Sequence, residues 1–456
     1  MNGSIATKFK KSIMFLFKIL IVITAVGLYT SGFKIWYEAP RLMFKDNYVI
    51  SVVYLLVFYI LSYSYGAYRI GILRLRELIY SFSLALLIAN FTGYSQLSLM
   101  LHCFIAAGPM LLLTFAQILT GTLLYIAANA VYFAINPARD ALAILANPED
   151  DERVLKKFLS ESKRYRIVQY CHESDGDAAV QRAIDGQPLV LLLGHGQPAF
   201  RSMVIRHCYE TDKRLLMVPN VDEIFIHSAV RCQIDDIPAF LFRGHQMTSE
   251  QKLIKRAVDV AGSAAALIVL SPLMLLAALL VHLYDGGPAF YQQTRVTEGG
   301  RQFLLYKFRT MVQNAEPDGA EMFSEHDGRV TAVGRWLRML RIDELPQLFN
   351  ILKGDMSLVG PRPERPELTE QYCRQYPEFR YRLKVKAGLT GYAQVFGRYN
   401  TLFEDKLKLD LLYIQHFSLI FDFYLIISTV KVLFMPSSSA GVEKKDPAAK
   451  KHSKKS

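Results

Sequence analysis

Asp343 and Glu344 stand side by side in the stretch RIDELPQLFNILKGDMSLVGPRPERPE, residues 341–367, with Arg341 just before them and Arg362 and Arg365 after. Adjacent carboxylates amid fixed positive charge suit phosphate chemistry. A carboxylate approaching a diphosphate is repelled unless Arg, Lys or a metal ion neutralises the phosphate charge. Leu345, Leu348, Phe349 and Leu352 recur at helical spacing, so a helix is predicted to begin near Leu345 with Pro346 in its first turn. Asp343 and Glu344 then sit at a helix N-terminus, where free N–H groups and the dipole favour negative charge and can hold a phosphate. The bland alternative is an N-cap aspartate worth about 1 kcal/mol. Lys307, Arg309, Arg338, Arg341 and Arg362 are the candidate phosphate partners, and bidentate guanidinium geometry explains the excess of arginine. Taken singly, Arg338 or Arg341 reads as a solvated helix face. Arg362 is held between Pro361 and Pro363 in a stiff loop, which suits positioning. Mg²⁺, a hard cation wanting oxygen ligands, would bridge a carboxylate and the substrate phosphates.

The elements that must position these groups are partly membrane. The chain has 456 residues, a formal charge of +12 and 52% hydrophobic residues, with a mean hydropathy of +0.18. That balance does not suit an ordinary soluble enzyme. It suits a membrane protein with basic cytoplasmic parts, and no nucleic-acid partner is expected. Five cysteines are scattered, with no CxxC and no His pair at ligand spacing, which argues against a zinc site or a disulfide framework. Apolar stretches at 12–33, 48–66, 78–95 and 98–120 each approach the ~20 residues of a membrane-spanning helix. Segment 121–136 is also apolar, so the expected count is four spans with five as the competing one. The first stretch follows KFKKS and has no small-residue cleavage site, so it reads as a span and not as a removable signal. Lys8, Lys10, Lys11, Arg69, Arg74, Arg76 and Arg139 place both ends of this four-helix unit in the cytoplasm.

The section 137–248 reads as a small α/β domain. The β-rich runs 140–146, 165–171, 188–194 and 214–220 alternate with helical patterns at 151–162 and 197–210, which predicts a parallel, Rossmann-like sheet. GHGQPA (194–199) matches G-x-G-x-x-A, but it follows the third predicted strand, whereas a dinucleotide fingerprint belongs to the first βα turn. The first turn, ANPEDD, lacks glycine and carries too much negative charge for a pyrophosphate. The domain is therefore expected to be degenerate, its glycines only shaping a turn. Next, 255–287 is apolar enough to span, yet the basic residues after it would then lie on the wrong side. Ser271-Pro272 falls near its middle. Proline frees a carbonyl, to which the Ser271 hydroxyl can donate, so a bent helix entering and leaving by one face reconciles hydropathy with charge. A straight span with a mild kink is the alternative.

YKFRTM (306–311), RWLRMLRIDELPQ (335–347), GPRPERPE (360–367) and LKVKAGLTGYAQV (383–395) follow in order. With them, residues from about 250 to 434 resemble the bacterial sugar transferase family, the polyprenyl-phosphate glycosyl-1-phosphate transferases. The architecture is similar to the larger members: transmembrane unit 1–136, degenerate Rossmann-like domain 137–248, mainly helical catalytic domain 249–435 and a basic tail 436–456 expected to be disordered. The resemblance implies that 257–284 is a re-entrant membrane helix. It implies that Asp343 attacks the β-phosphate of a UDP-sugar, releasing UMP, and that polyprenyl (undecaprenyl) phosphate then takes the sugar-phosphate from the aspartate. Glu344, with Asp343, would hold Mg²⁺. It further implies the bacterial inner membrane, a cytoplasmic catalytic domain, exopolysaccharide, capsule or O-antigen initiation, and membrane lipid as a partner, with a homodimer as one option. Arg398 is placed near substrate, 406–434 on the membrane face, and Asp410 and Asp422 in structural roles. A membrane-anchored nucleotide-sugar dehydratase or epimerase, which needs an intact glycine-rich first turn, and a non-catalytic assembly scaffold are the alternatives.

Overall fold

The computed structural model describes residues 9–37, 44–146, 148–194, 196–242, 247–312, 328–397 and 401–433. Arg398 and the basic tail lie outside them. The chain divides into two compact units, Met1–Asn220 and Val221–Ser456.

The first unit opens with four helices: α1 (Lys10–Tyr37), α2 (Phe44–Ser64), α3 (Leu75–Met100) and α4 (Ala107–Ile135). Helix α4 runs uninterrupted for 29 residues. Its only proline, Pro109, lies in the first turn, so 107–120 and 121–135 form one element and the five-helix count does not arise among the described residues. Helices α1, α3 and α4 are long and apolar enough to cross a bilayer, and α2 contributes the shorter apolar stretch Tyr48–Ser64. A buried polar network ties the four together. Asn90 Nδ2 donates to Thr114 Oγ1 and Gln117 Oε1, each at 2.8 Å. Gln117 Nε2 donates to Ala25 O at 2.8 Å and Tyr54 OH at 3.0 Å. In an apolar surrounding such groups need internal partners, and these partners fix the register of the bundle.

Strands β1 (Arg139–Leu145), β2 (Tyr165–His172), β3 (Leu189–Leu192) and β4 (Arg214–Met217) form a parallel sheet in the order β2-β1-β3-β4. Helices α5 (Pro148–Leu159), α6 (Asp177–Asp185) and α7 (Pro198–Glu210) connect them. The inner strands β1 and β3 are near-continuous apolar runs because both faces are covered: Leu142, Ile144 and Val190 pack with Val180 and Val204 on one side, and Ala143 and Leu191 face Leu155 and Phe158 on the other. Four apolar N-terminal helices and a small parallel sheet make this a membrane α/β protein.

The second unit begins earlier than the sequence boundary at 248. Helix α8 (Val221–Ser228) buries Ile224 with Val359, Phe379 and Leu411, so this segment belongs to the C-terminal core. An antiparallel hairpin follows, β5 (Val230–Ile234) and β6 (Ile237–Leu241). Helix α9 (Ser249–Asp285) then runs 37 residues with Pro272 inside it. It is joined by the hairpin β7 (Phe290–Val296) and β8 (Gln302–Phe308), then α10 (Ala332–Met339) and α11 (Gln347–Lys353). The parallel pair β9 (Ser357–Val359) and β10 (Gly388–Thr390) flanks α12 (Pro366–Gln375). Short α13 (Tyr392–Phe396), then α14 (Phe403–Gln415) and α15 (Leu419–Leu433), close the unit.

Candidate active site

In the tetrapeptide Ile342-Asp343-Glu344-Leu345 only Asp343 is fully buried, and its three neighbours are half-buried. Ile342 and Leu345 pack against the cluster of Met274, Ala277 and Val281 from α9 with Phe308 of β8 and Leu337 of α10. The two carboxylates between them are thereby pinned to the second half of the apolar helix. They do not sit at the N-terminus of the helix expected from Leu345. They form a 3-10 turn, Ile342–Glu344, and α11 begins only at Gln347, after Pro346. Pro346 has no N–H to return to Ile342, so the chain closes tighter bonds instead. Leu345 N donates to Ile342 O at 3.1 Å and Leu348 N to Leu345 O at 3.0 Å. Arg341 enters this turn with φ 56°, a left-handed conformation costing a non-glycine residue about 1 kcal/mol. Side-chain cations, rather than a helix dipole, therefore compensate the acidic pair.

Those cations converge on Glu344. Arg362 Nη2 lies 2.6 Å from Glu344 Oε1 and Nη1 lies 3.5 Å from Oε2. Lys307 Nζ stands 3.5 Å and Arg341 Nη1 3.9 Å from Oε1. Burial alone would raise the Glu344 carboxyl. The Arg362 and Lys307 charges, the Arg362 hydrogen bond and Arg341 outweigh it and hold the group well below the usual carboxylate range. Asp343 is the opposite case. It is buried, 8% exposed, and among the described residues it accepts no hydrogen bond and makes no ion pair within 4 Å. Burial, then the adjacent Glu344 charge, push its carboxyl up to about 6 against the pull of Lys307, Arg338 and Arg341. Near neutral pH one member of the dyad is a clamped anion and the other an ionised carboxylate with unengaged lone pairs.

Of the five predicted phosphate partners, Lys307, Arg341 and Arg362 meet at Glu344, and the Arg338 charge acts on Asp343. Arg338 Nε also donates to Thr310 Oγ1 at 2.8 Å. Arg309 instead pairs with Asp285, the last residue of α9. In the middle of α9 the Ser271 hydroxyl donates to Ile268 O at 2.8 Å, the carbonyl that Pro272 leaves without its helical donor.

Sequence reasoning missed the residues that hold the Arg362 loop. Arg382 Nη2 donates to the Arg362 carbonyl and to Asp410 Oδ2, each at 2.8 Å. Arg295 Nη1 donates to Pro363 O at 3.1 Å and faces Glu364 at 3.7 Å. Burial raises the Asp410 carboxyl to about 6 despite Arg382. The loop approaches its neighbour closely: a Cβ on Gly388 would lie 2.0 Å from Gly360 N. Asp422 pairs with Lys255 at 2.5 Å and accepts from Tyr413 OH at 2.8 Å. Arg382 stands in a basic run, FRYRLKVK (379–386), and Arg295 in a polar one, QQTRVT (292–297), so the sequence names no partner for either.

Residues 250–436 match the model of the bacterial sugar transferase family. A UDP-glucose:undecaprenyl-phosphate glucose-1-phosphate transferase of Caulobacter vibrioides is 43% identical over 186 residues, which cover 40% of this chain and 70% of that protein. The chain belongs to the bacterial sugar transferase family. An exopolysaccharide production protein, ExoY, of Rhizobium meliloti is 36% identical over 202 residues, 41% of this chain and 88% of its own length. A UDP-N-acetylgalactosamine-undecaprenyl-phosphate N-acetylgalactosaminephosphotransferase of Aeromonas hydrophila is 45% identical over 183 residues. That match takes in 40% of this chain, which spans 43% of the Aeromonas protein. Every candidate residue, from Ser271 to Arg362, falls within the family match.

Proposed function

We propose that the protein is a phosphotransferase that moves a sugar-1-phosphate from a UDP-sugar to undecaprenyl phosphate, the initiating step of exopolysaccharide, capsule or O-antigen synthesis. The observation that carries this is the asymmetry of the dyad: Glu344 is gripped by Arg362, Lys307 and Arg341, while the neighbouring buried carboxylate of Asp343 has no ion-pair or hydrogen-bond partner among the described residues. An ionised carboxylate Oδ of Asp343 attacks the β-phosphorus. The bond from that phosphorus to the bridging oxygen breaks, and UMP leaves with the oxygen. A phosphate oxygen of the lipid then attacks the same phosphorus and Asp343 leaves as carboxylate. No net proton is consumed. Lys307, Arg309, Arg338, Arg341 and Arg362 offset the phosphate charge.

Mg²⁺ fits this donor set. Asp343 and Glu344 are hard oxygen donors, and among the described residues no cluster of three or more Asp, Glu, His or Cys side chains forms. A divalent ion held by Asp343 and Glu344 would draw its other ligands from water and substrate phosphates, and when bound it would withdraw charge from the diphosphate.

The re-entrant reading of α9 rests on what each half of the helix touches. Near its start Asp259 Oδ1 accepts from Ser357 Oγ at 3.0 Å, and near its end Val281 packs with Leu337. Both partners belong to one compact unit, whereas a straight span would put its ends in different compartments. On this reading the unit faces the cytoplasm of a bacterial inner membrane, where UDP-sugar and lipid acceptor meet. The parallel sheet is a degenerate Rossmann-like domain, its GHGQPA turn opposed by the Glu173 carboxylate.

UMP release from a panel of UDP-sugars, with undecaprenyl phosphate in detergent, tests the reaction. No release from any donor overturns it. Cysteines introduced near Arg256 and Gln292, with native cysteines replaced, should both react only from the cytoplasmic side. Labelling at Gln292 by an impermeant thiol reagent on intact cells would show that α9 spans.

A further inference from the structure

Arg309 stands apart from the other cations of the site. Its side chain is only 10% exposed. One Nη group is engaged by Asp285, and its backbone N–H donates to Ala289 O at 2.9 Å. Its Nε and second Nη are buried without any hydrogen-bond partner. Leaving two guanidinium nitrogens unpaired in a buried place is costly unless a ligand completes them. Nη2, the nitrogen beside Nε–H, is the one taken by Asp285, so Nε and Nη1 leave the guanidinium on different edges and each offers a separate charge-assisted donor to a phosphate oxygen.

Its location says which phosphate. The charges acting most strongly on Asp343 come from Lys307, Arg338 and Arg341, and those on Glu344 from Arg362, Lys307 and Arg341. Arg309 is tied to the C-terminal residue of α9 instead. The last three turns of that helix present Leu276, Leu279, Leu280, Leu283 and Tyr284 outward, between 44% and 69% exposed. A phosphate on Arg309 is therefore placed where an apolar helix face ends. That combination suits a phosphate carrying a long hydrocarbon chain and gives nothing to a uridine or a sugar.

We propose that Arg309 binds the phosphate of the lipid acceptor, while Lys307 and Arg362 serve the nucleotide-sugar. The proposal rests on the phosphotransferase reading above and assigns the second of its two substrates. In the second step an oxygen of the Arg309-bound lipid phosphate attacks the phosphorus on Asp343, the new P–O–P bond forms, and the aspartyl O–P bond breaks.

The test separates the two half-reactions in purified full-length protein. UMP released in the first turnover, without lipid, reports the donor step. Transfer of labelled sugar-phosphate to undecaprenyl phosphate reports the acceptor step. Arg309→Gln is expected to lower the acceptor step at least tenfold more than the donor step and to raise KM for undecaprenyl phosphate without an equal rise in KM for UDP-sugar. Arg309→Lys, which keeps the charge and the Asp285 pair but loses the Nε and Nη1 donors, is expected to show the same bias to a smaller degree and guards against misfolding. Equal losses in both steps, or a rise confined to KM for UDP-sugar, would overturn the assignment. If the parent protein releases no UMP from any donor, the phosphotransferase reading itself has failed, a different outcome from either variant result.

Discussion

Two places in this chain carry sequence signs of phosphate binding, and their surroundings are opposite. At GHGQPA the turn after β3 leads into α7, whose N-terminus could accept an anion. The protein fills that position itself: Gln197 N donates to Glu173 Oε1 at 3.2 Å, and a Cβ on Gly196 would lie 2.8 Å from Glu173 Oε2. A resident carboxylate both occupies the donor and repels a second anion. At RIDELPQ the resident carboxylates are instead enclosed by Lys307, Arg338, Arg341 and Arg362. A glycine-rich turn supplies geometry alone. The charge that faces it decides whether phosphate can come.

Asp343→Asn should break the comparison at its strongest point. A neutral amide of nearly equal shape cannot attack phosphorus, so transfer should fall by about 10³-fold or more while membrane insertion is kept. Turnover near the parent rate would end the covalent mechanism.

Glu344→Gln leaves Arg362, Lys307 and Arg341 facing an amide, and a loss of about 10²-fold with weaker dependence on Mg²⁺ is expected. Arg362→Lys, which gives up the forked contact at 2.6 and 3.5 Å, should cost about tenfold. If both variants keep parental kinetics, the cationic enclosure is not part of catalysis.

The pH profile sharpens the contrast within the dyad. With Asp343 pushed up to about 6, kcat/KM for the donor should be level at pH 7–8 and fall as pH drops through about 6, with a limiting slope of one. Stability should respond in the other sense. A carboxyl raised above its unfolded value of ~3.9 stabilises the fold below that value and loses that contribution as pH rises through about 6. Asp343→Asn should therefore melt higher than the parent at pH 8, and the gap should close towards pH 4. A gap independent of pH would contradict the raised carboxyl.

Gly196→Ala in the α/β unit should have the smallest effect, a cost of about 1 kcal/mol as the Glu173 side chain gives way. Transfer by the folded protein should be retained. Tight NAD(P) binding abolished by this substitution would show that the turn binds a nucleotide after all.

Much of the architecture was legible in the sequence because apolar runs and β-α alternation are local properties. The four N-terminal helices, the four strands near 140, 165, 189 and 214, and the long apolar segment around Ser271-Pro272 all follow from periodicity. So does the site's composition: adjacent carboxylates in an arginine-rich stretch. The helix start was misjudged because leucine spacing continues smoothly across Pro346, while the missing N–H of that proline acts only through hydrogen bonds closed in three dimensions. The boundary near 248 moved because Ile224 finds its core partners more than 130 residues downstream.

Sequence alone determined that a membrane protein sets Asp343 and Glu344 side by side in an arginine-rich stretch. Tertiary structure decided how the two differ. Identical charges one residue apart become a clamped anion and one without an ion pair among the described residues because Arg362 arrives at Glu344 from a loop 18 residues away and Lys307 from a strand 37 residues earlier. Coulomb energy and desolvation depend on distance and enclosure, which residue order does not specify.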